Sequence, residues 1–380
     1  MTTAQKQPVL VVLQLNGGND YLNTVVPRDD PAYFDNRRTL GVPEDKVLGI
    51  DDEIGLNPVM APLKEFYDRG DMAIIHGVGW EGSNRSHFRC MDIWHTIDIE
   101  TIGDKGWLGM AVSEIDHNGE NPVKAVNVGQ GLPRALVAPG VSAASVSDLN
   151  AYGLLTSVEQ QQERDLMLQR FANMYAPAIG TGPVVDYLKQ TGRDALKGAD
   201  MLRSAPAGYA SSVEYGSTTL AGKLRDVAMV HVADLGTQVF YLEHTGYDTH
   251  AAQATTHPKL WTEVSTSVAD FFDDLREQEA DHNVVMFIFS EFGRRVRENG
   301  TGTDHGAAGV AFAIGKRING GTYSTYPELR PEALNDGDLV PTQDFRGVYT
   351  TILEDWLEVD AVPIVKGTFE APRFIQKNGG

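Results

Sequence analysis

The 380-residue sequence predicts an α/β fold: a doubly wound, mainly parallel sheet with helices on both faces. Three observations predict it. Apolar runs of strand length recur along the chain, amphipathic helical patterns lie between them, and residues suited to ligand binding follow the runs.

The first run, Pro8 to Leu15 (PVLVVLQL), is almost continuously apolar and rich in β-branched residues, as in a strand covered on both faces. It ends in Asn16-Gly17-Gly18-Asn19-Asp20, residues that tolerate unusual backbone angles. A second run, Met72 to Val78, leads through Gly79 to Ser86 into a helical pattern over His87 to Ile97. Further strands are expected at Ala125 to Val128, Gln238 to Leu242, Val284 to Phe289 and Gly309 to Ile314. Leu260, Val264, Val268, Phe271, Phe272 and Leu275 recur at three- and four-residue spacing, which predicts an amphipathic helix before the strand at Val284. Helices are also expected over Gln160 to Tyr175, Leu220 to Leu235 and Phe345 to Leu357. The stretch 157–215 is helix-rich without a clear strand and reads as an insertion capping the sheet. The expectation is one large domain over residues 1–380 that contains it.

Composition narrows the classes. At 42% hydrophobic residues the chain can bury a large core, yet no segment approaches the roughly 20 consecutive apolar residues of a membrane span. Met1 to Gln7 is polar and lacks the apolar stretch of a signal peptide, so the expected location is cytoplasmic. A chain trimmed of an export leader, and so periplasmic, would read the same way. The net charge of −20 argues against nucleic-acid binding, which needs clustered Lys and Arg. The lone cysteine, Cys90, excludes an internal disulfide and a Cys-rich zinc site, and reads as a small buried hydrophobe.

In open α/β sheets ligands bind beyond the carboxyl ends of the strands, so the residues following each strand are the place to search. Asn19, Asp20 and Asn23 follow the first. Ser83, Arg85, Ser86 and His87 follow the second; His244, Asp248 and His250 follow the strand at Gln238; Ser290, Glu291, Arg294 and Arg295 follow the strand at Val284. A Gly-rich turn, Gly300 to Gly306, presents Asp304 and His305 just before the strand at Gly309. Each piece alone also fits a plain structural role. Asp20 suits an Asx-turn, Asp248 and His250 a hydrogen-bonded loop pair, Glu291 an ion pair with Arg294 or Arg295, and Ser86 a helix N-cap. Their repetition at strand ends is the signal for metal. Carboxylates mixed with imidazoles suit Zn, Mn or Fe, whereas all-oxygen shells suit Ca or Mg. Arg85, Arg294 or Arg295 would hold an anionic substrate, and Ser86, or alternatively Ser83, would supply a hydroxyl where a helix begins.

The runs LQLNGGNDYLNTVVP, GSNRSHF, GYDTHAAQ, FSEFGRR, GTDHGAAGVAFAIG and DFRGVYTTILEDWL together resemble the bacterial DUF1501 family, in that family's order and from about Val9 to Leu357. The family is grouped with the alkaline phosphatase-like superfamily of metal-dependent phosphatases, sulfatases and phosphomutases. The resemblance implies a metal-binding Asp at Asp20, a nucleophile at Ser86, an Asp-and-His motif at Asp248 and His250, and a closing His at His305. The superfamily's Asp-His or Asp-Asn pair is matched only in part, by Ser290-Glu291, which puts a two-metal site in doubt. No cysteine stands in a sulfatase-type context, against a formylglycine mechanism. Many members of the family carry a twin-arginine export leader, which the sequence as written does not show.

The leading expectation is a hydrolase of phosphate or sulfate esters dependent on a divalent metal (Zn, Mn, Ca or Mg), acting on a small anionic ester. Its catalytic residues would be Ser86, His87, Arg85 and Arg294, and its metal ligands Asp20, Asp248, His250, Glu291, Asp304 and His305. The alternatives are a non-catalytic binding or scaffold protein that keeps the fold, and a phospho- or sulfo-group transferase acting on cell-envelope sugars or lipids.

Overall fold

The computed structural model describes residues 6–149, 194–195 and 197–377, together with Leu166 and Arg170. Its centre is a nine-stranded sheet. From one edge the order is Gly321–Tyr323, Met72–Gly79, Gly309–Ile314, Val284–Ser290, Val9–Asn16, Val239–Thr245, Ala125–Val128 and Ala143–Val146, and the short strand Gln343–Asp344 also pairs with Met72–Gly79. Val9–Asn16 has parallel neighbours on both sides. Only Gly309–Ile314 runs the other way, antiparallel to both Met72–Gly79 and Val284–Ser290.

Two cores explain why the strands read as unbroken apolar runs. Side chains alternate across a strand. Val9, Val11, Leu13 and Leu15 therefore enter one core and Leu10 and Val12 the other; Met286 and Ile288 part from Phe287 and Phe289 in the same way. Helices Ala61–Asp68, Thr219–Val232 and Gln253–Glu277 cover the first face, through Phe66, Leu224 and Phe271 among others. Helices His87–Thr96, Trp107–Ile115 and Phe345–Thr351 cover the second, through Trp94, Trp107 and Tyr349. The doubly wound arrangement is as the sequence predicts.

The differences are local. The helix expected from Leu260 begins earlier, at Gln253, and that expected over Phe345 to Leu357 passes into a π-helix at Ile352–Trp356. The Gly-rich turn is the tip of a hairpin, Arg294–Glu298 against Thr303–His305. The helix expected over Gln160 to Tyr175 and most of the insertion expected over 157–215 fall outside the described residues. Among the described residues no helix is long and apolar enough to cross a membrane.

Candidate metal centre

Four separate segments deliver the centre. His87 opens the helix after Met72–Gly79, Asp248 and His250 stand in the loop after Val239–Thr245, and Glu291 directly follows Val284–Ser290. Asp304 and His305 precede Gly309–Ile314. Because that strand is reversed, the residues before it share the sheet edge with the residues after the others.

Two glycines allow the loops to close together. Gly17 (φ 122°) packs on the backbone of Tyr247 and Asp248, where a Cβ would lie 2.3 Å from the Asp248 nitrogen. Gly18 (φ 77°) lies against the Phe292 ring, where a Cβ would clash at 2.2 Å. Phe292 in turn supports two imidazoles, with ring centres 4.8 Å from His87 and 5.0 Å from His305.

The imidazoles converge through one kind of atom. His305 Nε2 lies 3.0 Å from His87 Nε2, 2.9 Å from His250 Nε2 and 2.9 Å from Asp248 Oδ1. The same Asp248 oxygen is 3.1 Å from His250 Nε2 and 3.6 Å from His87 Nε2. Each ring is fixed from behind by its other nitrogen. His87 Nδ1 is 2.8 Å from Glu291 Oε1, His250 Nδ1 is 3.1 Å from Asp304 Oδ1, and His305 Nδ1 is 2.8 Å from the carbonyl of Arg85. A carbonyl only accepts, as does an ionised carboxylate, so each Nδ1 carries the proton and donates. Each Nε2 is then left with a lone pair.

Three nitrogen lone pairs and a carboxylate oxygen this close repel unless a cation lies among them. The donor set therefore fits a metal ion. A tetrahedral ion with bonds of about 2.0–2.1 Å sets its ligands about 3.3 Å apart; the donor atoms of His87, Asp248 and His305 all lie within 4.8 Å of one another, at 2.9 to 3.6 Å, and His250 joins them through His305 and Asp248. The outward Nδ1 bonds to Glu291 and Asp304 are of the kind that orients histidines at metal sites. Asp248 is held below the usual carboxylate range, at about 2: partial burial would raise it, but the hydrogen bond and charge of Arg294 prevail. The hydrogen bond to Glu291 raises His87 above the ordinary imidazole value, against the opposing effect of burial.

The expected site residues divide accordingly. His87, expected as catalytic, joins Asp248, His250 and His305 in the cluster. Glu291 and Asp304, expected as ligands, stand behind histidines instead, and Glu291 also accepts from the Gly17 N–H at 2.9 Å. Asp20 has other partners altogether. It is fully buried in a two-pronged pair with Arg37 (2.5 and 3.0 Å), and Gln253 also donates to it. Burial alone would raise its pKa, but the charge and hydrogen bonds of Arg37 hold it below the ordinary value.

Arg294, expected to grip substrate, is buried and spends its guanidinium on the carbonyls of Gly18 (2.7 Å), Thr303 (2.9 Å) and Tyr247 (2.8 Å) and on Asp248 (2.8 Å). It locks the loops rather than facing the cleft. Arg85 is tied to Asp338 (2.9 Å) and Asp336 (3.0 Å), and Arg295 reaches Asp336 (3.3 Å). Ser86 caps its helix, accepting from the Arg89 N–H at a long 3.5 Å, while the Ser83 hydroxyl is buried. His244 turns away to Glu263 (3.2 Å) and Tyr247 (3.0 Å). Burial pushes the Cys90 thiol up to about 12, as expected of an inert core cysteine.

A cleft of about 880 Å³ opens beside the cluster, bordered by Asn16, Ser86, His87, Met91, Asp248 and Glu291. Phe88, Ile102 and Arg134 also line it, and these were not legible in the sequence. Phe88 lay inside a recognised motif but carries no periodic signal, and the loop holding Ile102 has no strand-end position.

Fold and site together define a doubly wound α/β protein with a histidine–aspartate centre at the strand ends. The chain belongs to the DUF1501 family, whose model, described as a protein of unknown function, matches residues 99–353. That stretch holds Asp248, His250, Glu291, Asp304 and His305, and starts after His87. No curated protein matches the sequence. Solved structures similar to it include a protein in the alkaline phosphatase superfamily from Vibrio parahaemolyticus (10% identity, 99% of this chain and 70% of that one, TM-score 0.41). A sulfatase from Pseudoalteromonas (12% identity, 98% and 74%, TM-score 0.40) is similar too. So is the lipoteichoic acid synthase LtaP of Listeria monocytogenes (8% identity, 89% and 74%, TM-score 0.38).

Proposed function

We propose that this chain is a metal-dependent hydrolase of phosphate or sulfate esters, with His87, Asp248, His250 and His305 as the metal ligands. The observation that carries the reading is the meeting of three Nε2 lone pairs with Asp248 Oδ1, each ring fixed from behind through Nδ1. Three nitrogens and one oxygen favour zinc or another first-row ion over Ca or Mg, which take oxygen shells. When bound, such an ion supplies Lewis acidity, drawing electron density from an ester oxygen and making a nearby hydroxyl more acidic.

The chain's own residues do the rest. The cluster is part-exposed, Asp248 at 49% and His250 at 45%, so an ester can reach it from the cleft. Ser86 lines that cleft at the N-terminus of helix His87–Thr96, where free amides and the helix dipole favour negative charge on the hydroxyl or its ester. Glu291 and Asp304 keep the Nδ1 protons of His87 and His250 in place, so both rings hold their tautomers. Arg294 fixes the loops of Gly17, Gly18 and Asp248 around them.

Metal analysis of purified protein, followed by turnover of a phosphate and sulfate ester panel, tests the reading. About one ion per chain, lost in His305→Ala together with turnover, is the expected result. Protein that binds no divalent ion and turns over no ester with any of them refutes it. Ser86→Ala, with its metal retained, abolishes turnover if Ser86 attacks the ester; retained turnover assigns the attack to water. Added alcohol acceptors distinguish hydrolysis from group transfer by their products.

A further inference from the structure

We propose that the ester taken by this cleft carries an apolar alcohol portion, an alkyl chain or ring that lies over Phe88, Met91 and Ile102. The inference rests on the hydrolase reading and names its substrate class.

The lining of the cleft mixes two chemistries. His87 and Asp248 of the cluster border it. So do Met91 and two large apolar side chains left in water, Phe88 at 92% and Ile102 at 78% exposure. Exposed apolar surface within one cleft marks a binding surface more often than chance.

Charged residues of the same lining are already committed. Asp92 takes Arg89 at 2.7 Å and Arg134 at 2.5 Å. Arg89 also donates to the carbonyls of Thr101 (2.8 Å) and Asp98 (3.1 Å), and Arg134 to that of Gly103. Both guanidiniums are thus engaged in holding the wall of the cleft, and the charged group of a ligand is placed by the donor atoms of the cluster, with its neutral remainder against Phe88 and Ile102.

The same bonds fix the apolar wall. Ile102 lies between Thr101 and Gly103, whose carbonyls are held by Arg89 and Arg134. Asp98 caps the turn by accepting from the N–H groups of Glu100 (3.2 Å) and Thr101 (2.8 Å), and Lys366 holds Asp98 at 3.1 Å. A loop pinned at this many points presents Ile102 without an ordering cost on binding. Phe88 is the residue after His87, on the first turn of the same helix. Since His87 and Phe88 both line the cleft, the alcohol of an ester at the cluster can reach the phenyl ring.

A series of primary alkyl phosphates and sulfates, below their micelle concentrations, provides the test. Their leaving groups are equally acidic, so differences report contact rather than bond strength. We expect kcat/KM to rise roughly fourfold per buried methylene until the apolar wall is covered. Phe88→Ala and Ile102→Ala should flatten that slope, with a loss that grows with chain length; both side chains are exposed, so the core is untouched. A flat series in the unaltered protein, or an equal loss on every ester in the variants, overturns the proposal. Should no ester be turned over, the hydrolase reading fails separately, and equilibrium binding of the same series decides the subsite, with affinity independent of chain length overturning it. Binding to phospholipid vesicles without binding the monomeric esters overturns it too, in favour of a membrane-docking surface.

Discussion

Asp20 is where a metal ligand and a structural ion pair make opposite predictions, and Asp20→Asn separates them. The substitution keeps size and one acceptor oxygen but removes the charge. Asp20 and Arg37 are both fully buried, and among the described residues the guanidinium otherwise reaches the carbonyls of Val296 (2.6 Å) and Arg295 (2.8 Å). Without the carboxylate a cation is left buried with carbonyl dipoles alone. Removing one partner of such a pair costs about 3–5 kcal/mol, and the retained amide oxygen places Asn near the lower end. That is a large share of a typical stability of about 5–15 kcal/mol. Urea unfolding should show a lower midpoint at unchanged slope, while bound metal per chain stays as in the unaltered protein. Asp20→Leu combined with Arg37→Met should be more stable than Asp20→Leu alone, since the orphaned charge is gone. An unmoved midpoint with metal lost would refute the assignment and restore Asp20 as a ligand.

Three further outcomes follow from the same contacts. Asp304→Asn and Glu291→Gln should weaken metal binding by about 10–100-fold, as loss of outer-sphere partners does, and His305→Ala by more; competition titration with a chelating dye would contradict the scheme if the order were reversed. Metal affinity should fall with acidification, beginning above the ordinary imidazole value of 6.5 because Glu291 raises His87. Protons and metal compete for the same lone pair, so Glu291→Gln should move that fall to lower pH, and titrations at stepped pH would reveal an unmoved profile. His76, His95 and His257 are neutral in the fold, burial pushing each down to about 4. Their unfolded forms take up protons from 6.5 downward, so their stabilisation is complete above 6.5 and is lost as pH falls towards 4. Each adds a slope of up to about 1.4 kcal/mol per pH unit; urea midpoints flat across that window would refute it.

Much of the fold was legible because it depends on local repetition. Val9–Asn16 and Val284–Ser290 face two cores at once, so nearly every position must be apolar, and that leaves a run no other element imitates. Helix Gln253–Glu277 shows its buried stripe at Leu260, Val264, Val268 and Phe271 for the same reason. The strand-end rule led to Asp248, His250 and His305, since the rule concerns position along a strand and needs no contact information.

What the sequence by itself determined, then, was the layered α/β architecture and the pool of residues at one sheet edge, both consequences of periodic burial along the chain. Only the tertiary structure decided how that pool divides. Asp20 and Asp248 both follow strands, but Arg37 takes the first; Glu291 and Asp304 stand behind imidazoles, and Arg294 is enclosed by backbone carbonyls. The reversal of Gly309–Ile314 brought His305 to the shared edge, although His305 precedes its strand. Partner choice is settled by directions and distances between segments 17 to 276 residues apart, and a one-dimensional pattern contains no term for either.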